Sequence, residues 1–204
     1  MDLPLFAIQP QHVVMAKSLA LNNLRVTVRP AVESDSPGIL RCLHNAFAPY
    51  EQLYSPAAFL DTTLTAATVK ERLAAMSVFV ALTDADQIVG TLTGFQYSGQ
   101  EGHLRGMAVR SKWQGTGVAD LLLCTVEDHL RARGCSYITL DTTDPLKRAI
   151  QFYKRHGYEP TGKIGTYFGM ALFEYKKDLG ADTRIVRDDL AVTQRSKNAA
   201  IQRG

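Results

Sequence analysis

The sequence predicts an α/β fold of the α+β kind, a single mixed sheet with helices on both faces, and three observations carry that prediction. Residues 24 to 32, "LRVTVRPAV", alternate Leu24, Val26 and Val28 with Arg25, Thr27 and Arg29, the period of a strand with one face buried. The apolar segments at 78–84 and 87–95 are joined by a short polar Asp-Ala-Asp connection, which makes them a hairpin. Further on, helical and strand periods alternate, so the full order reads β, α, α, β, β, β, α, β, α, β, β.

Each element has its own local signal. After the first strand, Ser34 and Asp35 stand as caps to a helix whose Ile39, Leu40, Leu43, Ala46 and Phe47 share a stripe. A single helical region is expected over 55–76, with Pro56 just inside its start. The strand at 103–110 holds Gly106 in its middle, a position that marks a bulge or the close approach of a ligand or a second backbone. A helix over about 116–133 follows, with Val118, Leu122, Val126 and Leu130 on one face and Gly134 as its stop. The strand at 137–143 leads into Asp144 and Pro145, which start a helix carrying Leu146, Ala149, Ile150 and Tyr153 on one face. Gly157 ends it, and strands near 158–163 and 168–177 close the fold.

With 204 residues there is material for one sizeable core, so one domain is expected over 24–179 between an N-terminal extension, 1–23, and a polar tail, 180–204. Hydrophobic residues make up 46% and charged ones 21%, which excludes a wholly disordered chain. A net charge of +3 permits an anionic ligand but falls short of the basic stripe of a nucleic-acid binder. Cys42, Cys124 and Cys135 are an odd set without CxxC spacing, against a disulfide framework or a cysteine zinc site, and Cys124 is expected in the core. Pro4, Gln9, Pro10, Gln11, His12 and Lys17 interrupt the apolar N-terminus, and no run reaches membrane-spanning length. The expectation is a cytoplasmic protein with no metal, no membrane and no nucleic-acid partner.

The stretch "VRSKWQGTGVADLLL", 109–123, runs a strand into two glycines and a helix. Backbone N–H groups at the positive end of a helix dipole suit phosphate, and Gly115 and Gly117 let an anion approach the backbone. A plain strand-to-helix turn is the competing reading. The P-loop pattern is absent, and a dinucleotide fingerprint counted from Gly115 meets Asp120 where its third glycine belongs, although Asp141 imitates the ribose-binding acid.

The same stretch resembles the acyl-CoA-binding motif of the GNAT superfamily of N-acyltransferases, Gln/Arg-x-x-Gly-x-Gly/Ala, met here by Gln114, Gly117 and Ala119. The resemblance extends over about 24–179, because the element order matches and "RAIQFYKRHGYEPTG" is similar to the family's next helix and turn. It implies a mostly antiparallel sheet of six to seven strands with a splayed parallel pair in the middle. It implies acetyl-CoA as co-substrate, its pyrophosphate held by backbone N–H groups of Gln114, Gly115, Thr116, Gly117, Val118 and Ala119. Met107, Ala108 and Val109 would pair with the pantetheine arm, a backbone N–H near Val109 would hold the oxyanion, and a bulge at Gly106 would splay the strand from its parallel neighbour.

Acyl transfer to an amine needs a base for the ammonium, whose pKa is about 10, and a proton for the departing thiolate. Tyr153 matches the family's general acid, against the alternative of a core tyrosine, and Phe152 reads as packing. His103 stands where the family often places its base, against the alternative of a solvent-exposed strand end, with Glu101 as fallback. His156 is accounted for by the helix dipole and solvent. One position departs from the pattern: Leu146 stands where many members have Asn, and Thr142 or Thr143 would have to replace that polar contact.

The acceptor pocket is expected from the N-terminal helices and the loops at 48–58 and 96–102, with Tyr50, Tyr54 and Phe59 either lining it or covering the core. The resulting expectation is an acetyl-CoA-dependent N-acetyltransferase acting by direct attack on a small-molecule or peptide amine acceptor, with a homodimer left open. The alternatives are an acyl-CoA-binding sensor without turnover and, further off, a scaffold using the basic tail.

Overall fold

The computed structural model describes residues 17–21 and 24–180, and the expectations for 1–16 and for the tail from 181 lie outside those described residues. The strands are β1 (Lys17–Leu21), β2 (Leu24–Pro30), β3 (Ser77–Thr83), β4 (Ile88–Ser98), β5 (Glu101–Val109), β6 (Tyr137–Thr143), β7 (Glu159–Tyr167) and β8 (Met170–Asp178). They form one sheet in the order β1-β2-β3-β4-β5-β6-β8-β7. Every neighbouring pair is antiparallel except β5 and β6, which run parallel at the centre.

The sheet has eight strands among the described residues where six to seven were expected. The added strand is β1, inside the segment read as an extension, where Leu19 pairs with Val26. In "KSLAL" Leu19, Ala20 and Leu21 are apolar in succession, so no alternation of polar with apolar residues announces it.

The helices are α1 (Ser36–Phe47), α2 (Pro56–Thr63), α3 (Ala66–Ala75), α4 (Val118–Ala132) and α5 (Lys147–Arg155). The single helix expected over 55–76 is therefore two. Leu64 takes φ +63° between them, and Thr65 caps α3 by accepting from Thr68 N while Thr68 Oγ1 accepts from Thr65 N. Hydroxyls in "TTLTAAT" offer the backbone partners outside the helical ladder, and they win at this point. Asp35 is also used differently from expectation: its carboxylate accepts from Val32 N at 2.8 Å and from the Arg29 guanidinium, closing a 3-10 turn ahead of α1.

One face of the sheet carries α4, whose Val118, Leu122, Val126 and Leu130 are all fully buried. The helix lies directly on the backbone of β4, since a Cβ at Gly94 would fall 2.4 Å from Val126 Cγ1 and one at Gly90 would fall 2.8 Å from Leu122 Cδ1. Burial of each such aliphatic side chain contributes about 1.5–3 kcal/mol. Tyr153 of α5 joins the same core. On the opposite face Ile39, Cys42, Leu43 and Phe47 of α1 and Val69 of α3 pack on Val78, Val80, Leu82 and Ala108.

Cys124 is exposed rather than in the core, because it lies on the flank of α4 toward β1, where Lys17 Nζ sits 3.1 Å from its Sγ. The same helix is tied to the far strands by Glu127, which accepts from Tyr158 Oη at 3.0 Å and from Lys177 Nζ at 2.8 and 2.9 Å.

Candidate active site

Strands β5 and β6 pair in register only from Glu101 opposite Tyr137 to Leu104 opposite Leu140. Beyond that point each strand continues without the other. The cause is on the far side of β5: Thr91 of β4 faces Ala108 and Thr93 faces Arg105, so Leu92 alone opposes two residues, Gly106 and Met107. This is a β-bulge, and Gly106 holds φ +67°, a conformation that a side chain disfavours. The extra residue bends β5 away from β6 and opens a gap in the middle of the sheet.

Two cavities meet at that gap. The outer one, about 520 Å³, is bounded by the segment 107–109, the turn after β5, and α5. The inner one, about 510 Å³, lies over β5 and β6 beneath α1, α2 and α3. Phe47, Met107, Leu146, Ala149 and Tyr153 line both.

In the outer cavity Gly115 and Gly117 hold φ +79° and +91°, and Gly117 is the cap of α4 without any side chain to satisfy the helix. The first N–H groups of α4 therefore have no side-chain cap, and Gly117, Ala119 and Asp120 line this cavity. Of the predicted residues, Met107, Ala108, Val109, Gln114, Gly115, Gly117 and Ala119 line this cavity, while Thr116 and Val118 do not. Val118 is wholly buried in the core, and the Thr116 hydroxyl donates to Trp113 O at 2.7 Å. Gln114 is spent on the turn as well, since its N–H donates to Ser111 O and its Nε2 to Val109 O at 3.0 Å. Lys147, Arg148 and Arg155 of α5 also line it, with Tyr50 and one acid, Asp120; the sequence pattern did not single out these cations, which lie on the polar face of a short helix.

In the inner cavity His103 is held by a chain of hydrogen bonds. Glu101, as a carboxylate, can only accept, and it takes the Thr139 hydroxyl at 2.7 Å and the Tyr137 hydroxyl at 3.2 Å. With its one proton committed to Glu101, Thr139 Oγ1 must accept from His103 Nδ1–H, 2.8 Å away. The neutral ring therefore leaves Nε2 bare, 3.8 Å from Asp141 Oδ2. Burial lowers the His103 pKa, against the opposing pull of Asp141 and Glu101, and burial raises that of Asp141. His103 is thus not a solvent-exposed strand end.

Tyr153 is buried, and burial alone raises its pKa. Its ring packs edge-on to Phe152 and Tyr158. Among the described residues its hydroxyl has no hydrogen-bond partner, at the wall shared by the two cavities.

The sequence matches the model of the acetyltransferase (GNAT) family over residues 41–158, more than half of the chain. The chain belongs to the GNAT acetyltransferase family. Solved structures agree on the fold. A GNAT-family acetyltransferase from Staphylococcus aureus Mu50 aligns with TM-score 0.63 at 15% identity, covering 76% of this chain and 99% of that one. The ribosomal-protein-S18-alanine N-acetyltransferase of Escherichia coli gives 0.62 at 16%, covering 76% and 95%. The PaiA N-acetyltransferase of Thermoplasma acidophilum, solved in complex with coenzyme A, gives 0.63 at 12%, covering 75% and 98%.

Other residues of this GNAT domain settle as follows. Tyr54 lines the inner cavity and its hydroxyl shares a 2.5 Å hydrogen bond with Thr143 Oγ1; Phe59 lines neither cavity and packs edge-on to His44. Thr142 Oγ1 is buried without a partner beside the gap. His156 does more than face a helix dipole: its Nε2 lies 3.0 Å from Asp120 Oδ1, which joins α5 to the first turn of α4. Among the described residues no His, Cys, Asp or Glu cluster could hold a metal, and no helix is long and apolar enough to cross a membrane.

Proposed function

We propose that this GNAT chain is an N-acetyltransferase that takes its acetyl group from acetyl-CoA and passes it to a primary amine of a small molecule or peptide by direct attack in a ternary complex. The observation that carries the reading is the gap between β5 and β6, because it joins a basic outer cavity to an inner cavity holding a bare imidazole nitrogen. One opening serves both reactants.

The outer cavity fits coenzyme A. The uncapped N-terminus of α4 beyond Gly117 suits a pyrophosphate, and Arg148 and Arg155 offer counter-charges for the remaining phosphate, Lys147 being paired with Asp144. The unpartnered Thr142 hydroxyl supplies a polar contact near the gap, where Leu146 stands in place of the family's Asn; Thr143 is already engaged with Tyr54. Met107, Ala108 and Val109 provide the strand edge for the pantetheine arm. When bound, acetyl-CoA supplies an acetyl group activated as a thioester.

His103 Nε2 takes a proton from the attacking nitrogen as its bond to the acetyl carbon forms and makes that N–H acidic, and the Thr139–Glu101 chain keeps the ring in the tautomer that allows it. Burial keeps that nitrogen unprotonated at neutral pH. Tyr153 Oη holds its proton firmly, with a pKa raised above the ordinary phenol value of about 10, while a thiol lies near about 8.5. Full transfer from phenol to thiolate is uphill, so Tyr153 acts as a hydrogen-bond donor toward the leaving sulfur.

The test is a coenzyme A release assay with acetyl-CoA against a panel of primary amines, run beside a direct measurement of acetyl-CoA binding. Release with at least one amine class is expected. Tight binding without release from any amine would instead make the chain an acyl-CoA sensor.

A further inference from the structure

Arg72 of α3 lines the inner cavity, and no carboxylate among the described residues lies within ion-pair distance of it. The nearest acid, Asp61, is already engaged twice through Oδ2, by Arg105 Nη2 at 3.1 Å and by the Tyr167 hydroxyl at 2.6 Å. A guanidinium taken from water without a partner is costly, and burial, with repulsion from Arg105, lowers its pKa to about 10. It stays charged at neutral pH. Its Nη1 sits 2.8 Å from where a Cβ on Gly106 would lie, so the unpaired cation stands directly over the bulge where the strands part.

Charges in the inner cavity are sorted by side. Around Arg72, Arg105 adds one positive charge and Asp61 one negative, which leaves a single positive charge in excess. Around His103, Glu101, Asp141 and Glu174 outweigh Arg105, which faces both ends, and Lys163, which is 3.2 Å from Glu174 Oε2. Gly106, under Arg72, is two residues past the last paired residue of β5, and Asp141 is one past that of β6. The two ends of this field thus flank one mouth.

We propose that Arg72 is the seat of an acceptor carboxylate, so that the acceptor is a small amino-carboxylate whose ammonium lies toward His103 and Asp141. The proposal rests on the acetyltransferase reading and narrows its acceptor class. One uncompensated positive charge matches a monovalent carboxylate rather than a divalent phosphate, and a planar guanidinium offers it two parallel N–H donors. A cavity of about 510 Å³ has room for a free amino acid with its side chain.

The test compares free L-α-amino acids with the same compounds as carboxamides, on the full chain and on its Arg72→Gln and Arg72→Lys variants, each checked for an unchanged thermal melt. Binding to the coenzyme A-loaded protein is read by saturation-transfer NMR and calorimetry, and turnover by coenzyme A release. The wild type should favour the best amino acid over its amide by at least about 10-fold in kcat/KM. Arg72→Gln should lower the amino-acid value by about 10- to 100-fold and leave the amide within about 3-fold, with Arg72→Lys in between.

Equal handling of acid and amide by the wild type, or an equal loss of both in Arg72→Gln, would overturn the proposal; the latter would place Arg72 on the acyl group or the fold. Failure of any free amino acid to bind would overturn it as well. Arg72-dependent binding of the carboxylate without turnover would refute acetyl transfer and leave the anchor standing. Turnover of plain amines without carboxylate preference would do the reverse.

Discussion

Replacing Thr139 by Val tests the chain that orients His103. The substitution keeps the shape of the side chain and removes one hydroxyl, which now donates to Glu101 at 2.7 Å and accepts from His103 Nδ1 at 2.8 Å. Without it the ring loses the contact that holds the proton on Nδ1, and the tautomer with the proton on Nε2, facing Asp141 Oδ2, becomes competitive. One buried hydrogen bond is worth about 1–2 kcal/mol here, which at about 1.4 kcal/mol per decade is a 5- to 30-fold loss in kcat/KM for the amine. The KM for acetyl-CoA should not change, because Thr139 lines only the inner cavity.

The pH profile separates orientation from basicity. Burial disfavours the charged ring, so the pKa of His103 lies below the ordinary value of about 6.5, and kcat/KM should fall as pH drops through that lowered value. Thr139 Oγ1 accepts from Nδ1–H in both the neutral and the charged ring, so Thr139→Val lowers the plateau and leaves the acid limb in place. Asp141→Asn does the opposite: its carboxylate raises the His103 pKa, and its removal moves the acid limb to still lower pH. Initial rates of coenzyme A release from pH 5 to 9 with one acceptor decide the matter. A plateau that Thr139→Val leaves within 2-fold of wild type would refute the reasoning.

Tyr153→Phe should lower kcat by about 10- to 100-fold, the worth of a hydrogen bond to a charged sulfur, with acetyl-CoA affinity by calorimetry unchanged. Glu127→Ala strands the Lys177 ammonium and the buried Tyr158 hydroxyl, so it should cost about 3 kcal/mol and lower the melting temperature by about 6–12 °C by differential scanning calorimetry. Gly115→Ala and Gly117→Ala both force a side chain to positive φ, at about 1 kcal/mol each. Only the Gly117 methyl would also meet a neighbour, Leu19 Cδ2 at 3.1 Å, so Gly117→Ala should melt lower than Gly115→Ala by a further few degrees.

The strands from β2 onward were legible because their signals are local or recur at fixed spacing, whereas the central parallel pair followed from the family resemblance. Val118, Leu122, Val126 and Leu130 announce α4 by themselves, and Gly117 with Ala119 in the right context announces the turn. Other features are long-range and leave no local mark. Asp61 and Arg105 are 44 residues apart, and Arg72 lies on a helix with only Val69 fully buried. Thr139 reads as one more strand residue until Glu101 and His103 are seen beside it in the parallel register. The Gln114 and Thr116 side chains are spent on the turn itself, and side-chain chemistry in a turn does not reveal which partner the turn has taken.

The bulge at Gly106 accounts for both the opening and the sorting of side chains around it. Along β5 before the bulge, Leu104 packs toward α4, while His103 and Arg105 face the inner cavity. Strict alternation would then send Ala108 to the α4 side as well. One inserted residue reverses the phase: Ala108 packs with α1 and Val109 with α4. Met107 is thereby turned to the boundary, where it lines both cavities. Deleting one residue there would restore the alternation and remove the local bend. The position that most weakens the sheet is therefore the one on which a shared site for two reactants depends.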